Sequence, residues 1–192
     1  MKISAVKSLF AILLLAAGAG LAGQGTYIHF KASLADWLIS NSWAHRQTGH
    51  LPAKPWPWAD TRVVARLRVA RLGVRHFILR DASGESLAFG PGSMLSERLP
   101  GTRGHSLVAG HRDTHFSFLA DLQPGDLVEI DNYLGQIGRY EVRTARVINV
   151  EQQAWHIDPG SEALTLVTCW PLDALVPGGP ERLLVEAERI GD

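Results

Sequence analysis

The chain has 192 residues, with 19 lysines and arginines against 19 aspartates and glutamates, so its formal net charge at neutral pH is zero. A balanced charge argues against a nucleic-acid-binding domain, which usually carries a basic face, and a single cysteine excludes a disulfide scaffold. The sequence has no glycine-rich phosphate loop, no internal repeat and no low-complexity tract. The remaining classes are globular enzymes and binding domains that use neither nucleotide loops nor disulfides.

The first 30 residues are predicted to be a membrane anchor. Lys2 and Lys7 precede a run from Ser8 to Phe30 without Asp, Glu, Lys or Arg, and a run of this length is sufficient to cross a bilayer. A cleaved signal peptide is the alternative, because the small residues of AAGAGLAG suit a signal peptidase. We favour the anchor since the apolar run continues to Phe30. The lysines place the N-terminus in the cytoplasm, so the rest of the chain is expected outside it.

Residues 31–60 are predicted to connect this anchor to a domain over residues 61–192. Leu34, Trp37 and Leu38 recur at helical spacing, which predicts an amphipathic helix that continues from the anchor. The stretch TGHLPAKPWPWAD then contains three prolines, which predict a stiff, extended connection. Its two PWPW tryptophans are expected to pack against the surface of the domain.

The remaining sequence shows the pattern of an all-β domain. Short apolar runs, separated by Gly, Pro, Asn and Asp, recur at intervals of about ten residues and read as strands. They cover residues 62–69, 75–81, 105–111, 126–131, 138–150, 163–169 and 182–190. Only short helical pieces, such as residues 116–122, interrupt them. Seven or eight such strands predict a β-barrel or a sandwich, and closure is how such a sheet avoids exposed edges.

The single cysteine, Cys169, ends the run ALTLVTC and is the first candidate site residue. A lone cysteine is more often a small buried hydrophobe, but outside the cytoplasm an unpaired thiol is a candidate reactive group. A nucleophilic thiolate requires a nearby cation or base and a donor for the oxyanion that it forms. His111 ends the run HSLVAGH, and Arg182 begins the strand after a loop rich in Pro and Gly. Three polar groups at strand ends predict an active site at one rim of a barrel.

These motifs resemble the sortases, the membrane-anchored cysteine transpeptidases of the cell surface. The stretch VAGHRDTHF, then TLVTCW, then an arginine 13 positions after the cysteine follow the order and spacing of that family. The similarity covers roughly residues 61–190. GHRDTHF, the Trp-Pro after Cys169 and PWPWAD are similar to the single-gene proteobacterial type. The resemblance implies a closed barrel of seven or eight strands on the periplasmic side of the inner membrane, with no cofactor and no metal.

The resemblance also implies roles for the candidate residues. Cys169 would attack the threonine carbonyl of a C-terminal sorting signal of the Leu-Pro-x-Thr-Gly type and form a thioacyl enzyme. His111 would protonate the leaving amine and deprotonate the incoming one, and Arg182 would stabilise the oxyanion. The partner is then a protein with such a signal, and the acceptor is an unidentified amine or water. Thr168 and Ala109 are further candidates for substrate contact.

Other interpretations stay open. His115 follows His111 at a spacing used for metal ligands on helices, but the segment leaves a strand and no second cysteine exists, so zinc is disfavoured. An L,D-transpeptidase would also use Cys and His, but LVTCWPL lacks the Ser-x-Gly and the nearby Arg of that class. An inactive barrel could serve as a binding module. LPGTRG (99–104) mimics the sorting signal and is predicted to be a turn, and Asp113 is predicted to cap the next helix.

Overall fold

The computed structural model describes residues 2–95, 98–153, 157–158, 160–174, 176 and 178–191. The chain forms two compact units, Met1–Trp37 and Leu38–Asp192. One helix, α1 (Lys2–Ala44), accounts for the first unit and for the beginning of the second. The second unit contains the whole β-sheet.

Eight strands form a closed barrel. They are β1 (Val63–Val69), β2 (Val74–Leu79), β3 (Gly92–Ser93), β4 (Ser106–Ala109), β5 (Leu127–Asn132), β6 (Ile137–Asn149), β7 (Ala163–Cys169) and β8 (Glu181–Arg189). Their order around the barrel is β1-β2-β3-β4-β7-β8-β6-β5, and β1 pairs with β5 to close it. The other helices are short, namely α2 (Gly84–Leu87) and 3-10 helices at Ala70–Leu72 and Ser117–Asp121. The predicted closed barrel with short helices is therefore confirmed.

One apolar cluster fills the interior of the barrel. Tyr140, Phe116 and Leu67 are among its fully buried side chains. On β7, Leu164 and Leu166 belong to this cluster. Because side chains alternate between the two faces of a strand, the residues at the intervening positions of β7 face the outside of the barrel.

The first unit has exposed apolar side chains, including Ile12, Leu15 and Leu21. In the part of the chain that the structure describes, no helix combines the length and the apolar character needed to cross a membrane. The transmembrane helix predicted within residues 1–30 is therefore not supported.

The C-terminal part of α1 packs on the domain through a face other than the predicted apolar stripe at Leu34 and Trp37. Leu34 and Trp37 are exposed, whereas Ile39, Ser42 and Trp43 are buried. Ile39 and Trp43 pack in a cluster with residues of β1 and β2. Both sets have helical spacing, so periodicity alone could not decide which of the two faces the barrel.

The connection between α1 and β1 lies within the second unit and makes contacts there. Arg62 Nη1 donates a hydrogen bond of 2.7 Å to the carbonyl of Pro52. Trp56 packs edge-on against the ring of Phe89, whereas Trp58 is 78% exposed. The prediction that both indoles pack on the domain is thus correct for Trp56 and wrong for Trp58.

The segment LPGTRG (99–104) is a turn, as predicted. Thr102 donates to the carbonyl of Leu99 from its backbone N–H at 3.2 Å and from its hydroxyl at 2.7 Å. Arg189, the last residue of β8, donates from Nη1 to the carbonyls of Gly101 and Thr102 at 3.3 and 3.0 Å. These contacts make the segment part of the packing of the barrel.

Candidate active site

The end of β4 is held tightly against β7. The two strands are parallel, with Ala109 opposite Val167. The N–H of Gly110 donates to the Val167 carbonyl at 3.1 Å, and the Thr168 hydroxyl donates to the Gly110 carbonyl at 2.8 Å. His111 is the next residue and its side chain is exposed. This register brings His111 level with the last residue of β7.

Cys169 is that last residue, and Arg182 is its direct partner on β8. The thiol is half-buried and belongs to no disulfide. The N–H of Trp170 donates to the Glu181 carbonyl at 3.1 Å, which extends the antiparallel pairing one residue beyond the thiol. The three predicted catalytic residues therefore lie on adjacent strands, β4, β7 and β8, at one end of the barrel.

The guanidinium of Arg182 is partly engaged by the loop that precedes it. Its Nη1 donates to the carbonyls of Gly179 and Glu181, both at 2.7 Å. A guanidinium has five N–H donors, and these two bonds use those of Nη1. The N–H groups of Nε and Nη2 make no hydrogen bond to the described residues, so they remain available for a ligand.

The outer face of the barrel carries a second apolar cluster beside these residues, which we call the outer patch. It consists of Leu107, Ile148, Val167 and Leu184, which are buried, with Leu95 and Ile157 packed against it. Val167 lies two positions before Cys169, and Leu184 lies two positions after Arg182. Because alternate residues of a strand share a face, the outer patch and the catalytic candidates lie on the same face.

The structure corrects the predicted position of Thr168. Its side chain is 3% exposed, and its hydroxyl is bonded to Gly110. Strand alternation places it on the opposite face of β7 from Cys169, so it is not available for the predicted contact with substrate. The Thr168 hydroxyl instead holds Gly110, the residue before His111, in place. Ala109 is half-buried at the end of β4, and its contact with substrate stays a prediction.

Gly110 allows the chain to pass close to a ring of the core. A Cβ at this position would lie 2.7 Å from Cγ of Phe116, closer than real Cβ contacts. Phe116 is fully buried, and its N–H donates to the carbonyl of His111 at 2.9 Å. The turn that carries His111 is therefore packed directly on the interior of the barrel.

The next residue, Arg112, was not identified from the sequence. Its side chain is 6% exposed. The guanidinium donates to the carbonyls of Pro171, Ala174 and Val176 at 2.9, 2.8 and 3.1 Å. All three carbonyls belong to the loop that follows Cys169. Arg112 thus joins the turn after β4 to the loop after β7.

Asp113 does not cap the following 3-10 helix. Its carboxylate accepts from Arg112 Nε at 2.9 Å, and that helix has Phe116 at its N-cap, with no side-chain cap. The ring of His115 lies edge-on to that of His76, with centroids 5.7 Å apart. Over the described ranges, no group of three or more His, Cys, Asp or Glu side chains could hold a metal ion.

Another histidine, His105, lies at the opposite end of β4. Its Nδ1 is 2.9 Å from Ser161 Oγ and its Nε2 is 2.8 Å from Thr165 Oγ1. The Ser161 hydroxyl donates to the Asp158 carbonyl at 2.8 Å, so it accepts from Nδ1–H, and Nε2 accepts from Thr165. Burial lowers the pKa of His105, which favours this neutral ring. Because Ser161 accepts from the imidazole, it is not an activated nucleophile.

Comparison with known proteins places the barrel in a family. The family model described as "Sortase domain" matches residues 67–190. Sortase D of Bacillus subtilis (strain 168) is 24% identical over 124 residues, which cover 65% of this chain and 62% of that protein. The chain thus spans less than two thirds of the length of this curated relative.

Solved structures show the same fold. Streptococcus agalactiae sortase C1 is 25% identical, with 68% of each chain covered and a TM-score of 0.59. Sortase A from Corynebacterium diphtheriae is 24% identical, with 83% of each chain covered and a TM-score of 0.59. The match to the latter concerns the fold alone.

Proposed function

The chain belongs to the sortase family, and from this premise we propose that it is a cysteine transpeptidase. The observation that carries the proposal is the direct cross-strand pairing of Cys169 with Arg182, beside the end of β4, which His111 follows by two residues. A nucleophile, a proton carrier and an oxyanion donor are thereby brought to one end of three adjacent strands. These are the groups that acyl transfer through a thioester requires.

In the first half-reaction, the Cys169 thiolate adds to the carbonyl carbon of the Thr-Gly peptide bond in a Leu-Pro-x-Thr-Gly-like signal. The oxyanion that forms is stabilised by the free N–H groups of Arg182. The C–N bond breaks as the His111 imidazolium gives its proton to the leaving amine. The products are a thioacyl enzyme and the released C-terminal fragment.

In the second half-reaction, an incoming amine attacks the thioester carbonyl and loses a proton to His111. The C–S bond breaks and Cys169 leaves as a thiolate. An amine acceptor gives a new amide bond, and water gives net hydrolysis. The chemical identity of the acceptor determines which product forms, and the active-site residues act identically in both cases.

We assign the surface over the outer patch, where the half-buried Leu95 and Ile157 pack on its buried side chains, to the apolar residue of the sorting signal. It lies on the same face as the thiol, and its side chains are entirely aliphatic. Val167 is two strand positions from Cys169, a separation of roughly 7 Å at the rise of a β-strand. A peptide with its threonine at the thiol would therefore place a leucine three residues earlier within reach of this patch.

The location of the enzyme is a separate proposal. We place the barrel outside the cytoplasm at the plasma membrane, on the periplasmic side if the proteobacterial subtype is correct. Lys2 and Lys7 before the apolar run, and the exposed apolar side chains of the first unit, support this location. Carbonate-resistant recovery of full-length protein in membranes is the expected result. A soluble, N-terminally shortened form would show that the N-terminal segment is cleaved and that the barrel is not attached to the membrane.

The test of the activity uses a quenched fluorescent Leu-Pro-x-Thr-Gly peptide with triglycine as the amine acceptor. We expect cleavage between Thr and Gly, ligation of the acyl fragment to triglycine, and a mass increase on the peptide that contains Cys169. Cys169→Ala is the control. If the folded protein neither cleaves a library of such peptides nor reacts with iodoacetamide at Cys169, the barrel is a binding module. Turnover of a peptidoglycan stem peptide instead would indicate an L,D-transpeptidase.

A further inference from the structure

The buried guanidinium of Arg112 is held almost entirely by backbone carbonyls. Among the described residues it has four hydrogen bonds: three go to the loop after β7, and one goes to Asp113, whose side chain is 72% exposed. A buried charge is costly unless its donors are satisfied, and an exposed carboxylate offsets little of that cost. The carbonyls of the loop are therefore the partners that stabilise Arg112.

The hydrogen bonds of Arg112 fix the backbone position of the residue after His111. Those of Gly110 fix the backbone position of the residue before it. Gly110 is bonded through both its N–H and its carbonyl to the last part of β7. Arg112 is bonded to the continuation of the same chain segment beyond Cys169. His111 thus lies between two residues, Gly110 and Arg112, and both are hydrogen-bonded to the segment that contains Cys169.

We infer that Arg112 is a positioning residue for the transpeptidation, a role that rests on the proposed function. It holds the loop after Cys169 against the turn after β4 and so sets the separation of the thiol from the imidazole. Misplacement of reacting groups by about 1 Å can cost on the order of 10²-fold in rate. The expected consequence of losing Arg112 is a slower chemical step, while the outer patch continues to bind peptide.

The chain offers a matched control in Arg71. This arginine also bridges elements that are distant in sequence, because its guanidinium donates to the Asp126 carboxylate and to the Asp121 carbonyl. It follows β1, which is four strands from β7 in either direction around the barrel. Loss of Arg71 should lower stability without altering the active site, so it separates a structural effect from a positioning effect.

The experiment compares Arg112→Gln, Arg112→Lys, Asp113→Asn and Arg71→Gln in the full chain, by thermal melting and by steady-state peptide cleavage. We expect Arg112→Gln to lower kcat by roughly 10²-fold with KM within about twofold. Arg112→Lys should lower kcat by about tenfold, because an ammonium does not reproduce the planar fork of donors. Asp113→Asn and Arg71→Gln should keep kcat within about twofold, since neither breaks a bond to the loop.

A second measurement does not depend on any substrate. The rate at which iodoacetamide alkylates Cys169 depends on stabilisation of the thiolate by a neighbouring imidazolium. At neutral pH this rate should fall about fivefold in Arg112→Gln, to the level of His111→Ala, and stay unchanged in Arg71→Gln. If folded Arg112→Gln keeps the wild-type kcat and alkylation rate, the positioning role is wrong. If wild type cleaves no peptide but the alkylation rates differ as expected, the proposed transpeptidation is wrong, and what stands is that Arg112 sets the position of the imidazole relative to the thiol.

Discussion

The two ends of the β4–β7 strand pair each carry a histidine, and the environments of the two side chains differ. At one end, both ring nitrogens of His105 are bonded to hydroxyls, and burial lowers the pKa of the ring. At the other end, His111 is exposed beside a half-buried thiol. A histidine whose two nitrogens are already satisfied acts as a structural connector. The comparison shows that the two rings differ in their availability to a ligand, and the proposed catalytic end is the one with the exposed ring.

Removal of the nucleophile at the catalytic end should have the largest effect. Cys169→Ala should abolish both cleavage and ligation, because no thioester can form. The melting temperature should change little, since the side chain is half-buried and only one sulfur atom is lost. Measurable thioester-dependent ligation by this variant would remove the thiol from the mechanism and return Cys169 to a packing role.

Loss of the exposed histidine should come next. We expect His111→Ala to lower kcat by roughly 10³-fold, because the leaving amine loses its proton donor. The matched change at the other end, His105→Gln, should leave kcat within about twofold. Measurement of kcat for both variants tests the proposed difference between the two histidines directly. A larger loss of kcat in His105→Gln than in His111→Ala would show that this difference is wrong.

Substitution of Arg182, the proposed oxyanion donor, should lower the rate somewhat less than loss of His111. Arg182→Lys keeps the charge but loses the planar array of donors, and we expect roughly a 10²- to 10³-fold drop in acyl transfer with the barrel still folded. Single-turnover acylation with the sorting-signal peptide measures this step. Turnover close to that of the wild type would leave Arg182 as an ordinary strand residue that anchors the loop at Gly179.

The smallest expected effect concerns the pH dependence of stability at the structural end. The pKa of His105 is lowered in the folded state, with burial as the largest cause; Glu186 and Asp158 oppose the shift and Arg98 adds to it. Below the unfolded-state pKa of about 6.5, the unfolded chain binds a proton that the folded chain resists. Stability should therefore fall as the pH drops from 7 towards 5.5.

Urea unfolding midpoints across that range should show this slope in the wild type and a shallower one in His105→Gln. His111→Gln serves as the comparison, because the exposed ring of His111 makes no equivalent pair of hydrogen bonds to residues that the structure describes. Equal slopes in wild type and His105→Gln would mean that the ring is free to take up a proton in the folded state, and the proposed contrast between the two ends would be lost.

Much of the barrel was predictable because strand periodicity and turn residues are local signals. Seven of the eight strands were located to within about two residues, while β3 (Gly92–Ser93) is too short to show any period. The face of α1 that packs on the barrel could not be predicted, since the helix has two apolar stripes and the packed one contains Ile39 and Trp43. Tertiary contacts of this kind leave no trace in local spacing.

In the candidate site, too, some residues could be proposed from the sequence and others could not. Cys169, His111 and Arg182 could be proposed because reactive side chains at strand ends are visible in the sequence and because their order and spacing resemble the sortases. Arg112 was overlooked because its partners are backbone carbonyls, which are present at every residue. The outer patch was overlooked because strands buried on both faces show no alternation. Thr168 looked like a neighbour of the thiol, and only the facing of β7 shows that it points inward.

Gly110 has a consequence for how variants of this protein can arise. Any side chain at this position would displace the ring of Phe116, which belongs to the interior of the barrel. Such a substitution shifts the turn that carries His111 and disturbs the core at the same time. Small stepwise changes of the reaction rate are therefore not expected from substitutions at this position. Directed evolution of new substrate preference should therefore accumulate changes around the outer patch, whose side chains belong to a separate apolar cluster from Phe116, while glycine is retained at position 110.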